Sequence, residues 1–173
     1  MINAAAQRLD RGARMVVPFV LSGVLIMVSA LPIHLPSYDE IAVDFGLMAV
    51  FYWAIYRPDL FPSLAAFILG LWQDILLGTP IGLHVLIFLL ANAVIGSQRT
   101  FFQGKSFNVV WWCFSLMAFA ASFFSWLIVC ALNVTMVSPV SIFFHTFLTI
   151  GVFPFVAWFF ARVQHAILRP IDV

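Results

Sequence analysis

The chain has 173 residues, of which 64% are hydrophobic, 17% aromatic and only 9% charged, with a formal net charge of +1. Soluble domains carry about 25% charged and 45–50% apolar residues, and a chain this short cannot hide such an excess in a dry core. Lipid must be the solvent for most of it, and eight basic residues spread over four segments argue against nucleic-acid binding.

A membrane-spanning helix needs about 20 mostly apolar residues. In chain order the apolar runs predict six spans, near 15–33, 41–56, 60–77, 81–96, 107–132 and 140–163, in one integral membrane domain covering 1–173. The second and fourth are short, so their ends extend into the flanking loops or sit where the bilayer is thin. Pro62, Pro80 and Pro139 each mark a helix start, where a missing N–H costs nothing. Pro154 lies inside the last span and predicts a kink. The first span also resembles a signal peptide, with Val28-Ser29-Ala30 as a cleavage sequence, but the apolar run through Leu31 and Ile33 favours an uncleaved anchor.

Arg8, Arg11 and Arg14 precede the first span, Arg57 lies in the second loop, Arg99 and Lys105 in the fourth, and Arg162 and Arg169 close the chain. The alternate loops, at 34–40, 78–80 and 133–138, carry no Lys or Arg. The positive-inside rule therefore places both ends in the cytoplasm of a bacterial inner-membrane, multi-pass protein. Tyr52, Trp53, Tyr56, Trp111, Trp112 and Trp158 are expected to form an aromatic belt at the inner interface. Cys113 and Cys130 lie in one apolar run, about 25 Å apart if it is helical, too far for a disulfide.

An ionisable residue inside a span costs about 2.5–3.5 kcal/mol on insertion scales. Asp74 is the main case, and Ala66, Gly70 and Asp74 stack on one helical face that permits close helix contact. Three readings of Asp74 are open. It could accept the free N–H groups that open span four and pair with His84 across the hairpin. It could help to dock a partner helix, or it could belong to a ligand, proton or ion site. Asp44, His84 and His145 fall at a similar depth, a set with metal or transport potential. Polar stripes at Ser141, His145 and Thr149, and at His84 and Asn92 beside Phe88, are explained by interhelical hydrogen bonds of about 0.6 kcal/mol each. Neither a metal nor a cofactor is expected. In span five, Ala118, Ala121, Ser122 and Ser125 form a small-residue face, while Phe114, Phe119, Phe123 and Phe124 spread round the helix for packing and lipid contact. The chain lacks a Gly-x-Ser-x-Gly nucleophile turn, a His-Glu-x-x-His zinc motif and a phosphate-cradling glycine loop. Enzymatic activity is not expected.

The run Tyr52-Trp53-Ala54-Ile55-Tyr56-Arg57-Pro58, then Phe67-Ile68-Leu69-Gly70-Leu71, Asp74-Ile75, Gly78 and Pro80-Ile81-Gly82-Leu83, resembles the rod shape-determining protein MreD family. Chain length, the basic N-terminus, the six-span count and the spacing from Pro58 to the Asp74 hairpin are similar too. The resemblance implies a non-enzymatic scaffold subunit of the bacterial elongation (rod) complex, required for rod shape and lateral peptidoglycan synthesis. It implies binding to the bitopic protein MreC and, indirectly, to the actin-like MreB and the wall polymerase and transpeptidase. Pro58, Gly70, Asp74, Gly78, Pro80, Gly82 and Leu83 are the positions that match the family, and His84 completes the hairpin. That hairpin is expected to expose a small-residue groove that captures one partner helix. The resemblance also implies an all-α bundle similar to the substrate-binding subunits of energy-coupling-factor transporters. The alternative is therefore a small-molecule-binding subunit of such a transporter, with Asp44, Asp74, His84 and His145 lining an outward pocket. Such subunits tend to carry small residues four apart in the first helix, whereas here Ser22-Gly23 is followed four later by Ile26-Met27.

Overall fold

The computed structural model describes residues 2–29, 43–102, 104–133 and 139–167. Among them the chain is all-helical, with α1 (Ile2–Ser29), α2 (Phe45–Tyr56), α3 (Ser63–Leu77), α4 (Leu83–Phe102), α5 (Phe107–Asn133) and α6 (Pro139–Ile167). Leu31 and Ile33, which favour an uncleaved first span, and the acidic 34–40 loop lie outside the described residues.

Three helices outrun the predicted spans by more than one residue. α1 reaches back to Ile2, so Arg8, Arg11 and Arg14 are helical rather than a loose tail. α4 continues to Phe102 and carries Arg99, and α6 continues to Ile167 past Arg162. Hydropathy marks where lipid ends, whereas a helix ends only where the backbone is stopped, and arginine is a good helix former. At α2 the difference runs the other way. Asp44 does not lie inside the helix but caps it, its Oδ1 accepting the Leu47 N–H at 2.9 Å, the N3 donor that an N-cap satisfies.

α2 is the centre of the molecule. Every residue from 46 to 54 is buried, and the helix touches each of the other five. A helix that is apolar on all sides has no side to spare for a polar solvent and is enclosed on all sides. Phe51 anchors one aromatic cluster, edge-on to Phe114 at 5.1 Å and Phe153 at 5.7 Å, while Phe114 and Phe153 stack at 3.9 Å. Tyr52 and Trp53 form a second with Phe160, at 5.1 and 5.3 Å. Tyr52 and Trp53 are thus core residues rather than members of an interfacial belt. Tyr56, Trp112 and Trp158 are the outward-facing ones. Aromatic pairs of this geometry contribute about 0.5–1.5 kcal/mol each beyond area burial.

Around α2 the helices pair by hairpin. The α3–α4 contact is the most extensive, followed by α2–α4 and α5–α6. The segments Phe107–Ala131 and Ile142–Gln164 are long and apolar enough to cross a membrane. Val16–Ser29, Phe45–Tyr56, Ser63–Leu77 and Leu83–Gln98 are shorter apolar segments. Much of α5 faces outward, with Trp112 at 72% and Leu116 at 75% exposure. Such a surface is stable only against an apolar solvent.

Candidate functional site

The α3–α4 hairpin is built by glycine and one carboxylate. α3 ends at Gly78 in the left-handed region (φ 65°), and Gly82 (φ 101°) turns the chain into α4. Side chains other than glycine rarely adopt either conformation. The turn leaves N–H groups at the start of α4 without helical acceptors, and Asp74, in the last turn of α3, takes them. Its Oδ2 accepts from the Gly82 N–H at 2.8 Å, and its Oδ1 from the His84 N–H at 3.0 Å. Oδ1 also accepts from the Thr79 hydroxyl at 2.9 Å and from His84 Nδ1 at 2.8 Å. A carboxylate only accepts, so His84 carries its hydrogen on Nδ1. The Asp74 side chain is fully shielded and that of His84 is 11% exposed.

Gly70 lies one turn before Asp74 on the same face. A Cβ there would stand 2.7 Å from Val85 Cα and 2.8 Å from Val85 N, both backbone atoms. The small-residue face of Ala66 and Gly70, expected to be an open groove, is therefore filled by α4 of the same chain. The spacing signalled a close helix contact but could not say with which helix.

A second polar group joins α2, α3 and α6 on the same end of the bundle. Gln73 Nε2 donates to Asp44 Oδ1 at 3.0 Å, and the Asp44 N–H donates to Thr149 Oγ1 at 3.3 Å. Gln73 is buried and its Oε1 has no partner; that oxygen is packed against Gly46, where no Cβ could fit. Of the polar stripes, Thr149 is buried in this group, whereas Asn92 bonds Ser63 at an exposed position. Thr146 joins α6 to α5 through the Ser122 hydroxyl at 2.8 Å.

The structure thus brings together Gly70, Asp74, Gly78, Pro80, Gly82, Leu83 and His84. Pro58 stands apart from them, at the other end of α3, about 22 Å of helix away. Thr79 and Gln73 were missed by the sequence reading. Thr79 was legible only as part of the tight turn, and Gln73 only as a polar neighbour of Asp74 in an apolar run. No three of His, Cys, Asp and Glu are gathered as a metal ion requires among the described residues. Both cysteines are free.

The chain matches no curated protein and no solved structure. Against family descriptions, residues 10–164 match the one described as rod shape-determining protein MreD. The match runs from within α1 to within α6 and takes in the whole hairpin. This chain belongs to the rod shape-determining protein MreD family.

Proposed function

We propose that this protein is a non-enzymatic scaffold of the rod complex that crosses the bacterial inner membrane six times, with both ends in the cytoplasm, and acts by binding an MreC-like bitopic protein. The observation that carries the reading is the family match across residues 10–164. The family is one of shape-determining membrane proteins and is not a known enzyme family. Through MreC the scaffold reaches the actin-like MreB and the polymerase and transpeptidase of lateral wall synthesis. The likeness of its bundle to the energy-coupling-factor subunits belongs to the same reading.

The hairpin geometry supports a structural role for the matched positions. Gly70, Asp74, Gly78, Pro80, Gly82, Leu83 and His84 hold the α3–α4 hairpin in one shape, and Pro58 turns the chain into it from α2. The partner helix then packs on the apolar exterior of the hairpin, where Ile75 and Ile81 are exposed at 66% and 79%. The groove beneath Gly70 is already filled. Three of the four polar residues that a small-molecule subunit would use are committed internally: Asp74 and His84 to each other, and Asp44 to its helix cap and Gln73.

Gentle detergent purification of the tagged protein from its native membrane, with mass spectrometry of what accompanies it, tests this. Recovery of an MreC-like bitopic protein is the expected result. Recovery of paired ATPases with a coupling membrane subunit would overturn it.

A further inference from the structure

At the end of the bundle opposite the hairpin, two shielded N–H groups among the described residues have no acceptor. Arg57 is the C-cap of α2, its backbone N–H donating to Trp53 O at 2.9 Å. Its side chain is half-buried, and Nε is shielded from solvent with no acceptor. The described ion pair is His84–Asp74, so no carboxylate among the described residues pairs with Arg57; Asp59, two residues on, points out. Trp53, one turn earlier on α2, also has a buried Nε1 with no acceptor.

Two other cations of this end, among the described side chains, are placed differently. Lys105 Nζ lies over the Phe101 ring at 5.3 Å, and the Arg162 guanidinium over the Trp158 ring at 5.1 Å. Each has an electron-rich face to rest on, and Arg57 has none among the described residues. The dipole of α2 favours a cation at this position, but it gives the guanidinium N–H groups nothing to bond. A shielded donor left unpaired is destabilising, so an acceptor brought to the guanidinium is favoured. A guanidinium fork matches phosphate oxygens in pairs. Directly after the Arg57 loop, α3 presents an apolar stripe at helical spacing through Leu64, Phe67 and Ile68, all exposed.

We propose that Arg57 holds the phosphate of an anionic membrane lipid whose acyl chains lie along this stripe of α3. The site needs the phosphate at the guanidinium and the apolar stripe beside it, a combination that a membrane lipid supplies in one molecule. It rests on the Arg57 loop lying at the membrane boundary, as proposed above, and not on any partner protein. Failure here and failure of the scaffold reading are therefore separable, because the latter is read from co-purification.

The experiment is native mass spectrometry of the full-length protein in micelles holding equal amounts of phosphatidylglycerol and phosphatidylcholine. Wild type should retain phosphatidylglycerol with a preference of about fivefold, as befits one partly shielded charge-assisted pair. Arg57→Gln should bring that preference close to one, and Arg57→Lys should keep part of it. Arg162→Gln should keep it whole. No preference in the wild type, or an unchanged one in Arg57→Gln, would overturn the proposal. An equal loss in Arg162→Gln would overturn it too, by showing only diffuse surface charge. Stabilisation of the lipid-free protein by inorganic phosphate, to the extent given by phosphatidylglycerol, would assign the site to free phosphate and overturn the lipid. If Arg57→Gln does not yield monodisperse protein, the wild-type, Arg57→Lys and Arg162→Gln arms decide.

Discussion

Asp74 receives four donors on two oxygens, from Thr79, Gly82 and twice from His84. A carboxylate has about four lone-pair positions, so this one has little capacity left for an outside proton, ion or ligand. Its cost in an apolar run is offset inside the hairpin. The consequences of substitution follow from which donors lose their acceptor. Asp74→Asn keeps one carbonyl oxygen for the His84 side but turns an N–H2 group towards the Gly82 N–H. The loss should be about 1–2 kcal/mol, with near-normal accumulation in membranes. Asp74→Leu leaves the Gly82 N–H, the His84 N–H and the His84 ring without an acceptor, at about 3–5 kcal/mol for a broken buried pair. Thermal unfolding in detergent, with membrane content measured in parallel, should rank wild type above Asn and Asn well above Leu. Equal melting temperatures for the three would remove the clasp from the account.

Between α3 and α4 the decisive element feature is how closely the two backbones approach. In lipid there is no hydrophobic drive between helices, so association depends on close packing and hydrogen bonds. Gly70 lets the backbone of Val85 come within a distance that a methyl group would forbid. Gly70→Ala must therefore spread the hairpin and should lower stability by about 1–3 kcal/mol. Gly96, on the same α4 but with nothing within 4 Å of an added Cβ, is the matched control. Gly96→Ala should be neutral or stabilising by up to about 1 kcal/mol through helix propensity. Thermal unfolding of the two variants side by side checks this, and a Gly70→Ala protein as stable as Gly96→Ala would show that the contact is loose. Elements of this kind are partly legible in sequence. The number and order of the helices could be read because long apolar runs are interrupted by proline and glycine. The bonds from Asp74 to the start of α4 could be read because a tight turn ahead of a helix leaves known N–H groups free. The enclosure of Tyr52 and Trp53 could not, since a helix apolar on all sides looks alike whether lipid or protein surrounds it. Nor could the start of α1, because nothing in its charged first turns stops a helix.

At the scale of the whole molecule the short helices need an explanation. α2 has 12 residues, about 18 Å of helix against roughly 30 Å of hydrocarbon. Hydrophobic mismatch is a cost of contact between helix and lipid, and α2 is enclosed by its five neighbours. Its length is set by the bundle and not by the bilayer, so a short central helix is compatible with six crossings. The ends of the bundle differ in basic residues as the proposed orientation expects. Arg57 and Lys105 sit at one end, whereas the hairpin turn at the other, beside Asp44 and Asp74, carries no Lys or Arg. The proposed topology then makes a sharp prediction about α4, the helix that connects the two ends. Cysteine introduced singly for Ile81 or for Lys105, both exposed, in a chain with Cys113 and Cys130 changed to Ala, reports the two sides directly. A membrane-impermeant maleimide should label Ile81→Cys in intact cells and Lys105→Cys only after permeabilisation. Labelling of both from the same side would mean that α4 does not cross. Labelling of Lys105→Cys alone in intact cells would place the basic end outside, against the charge distribution.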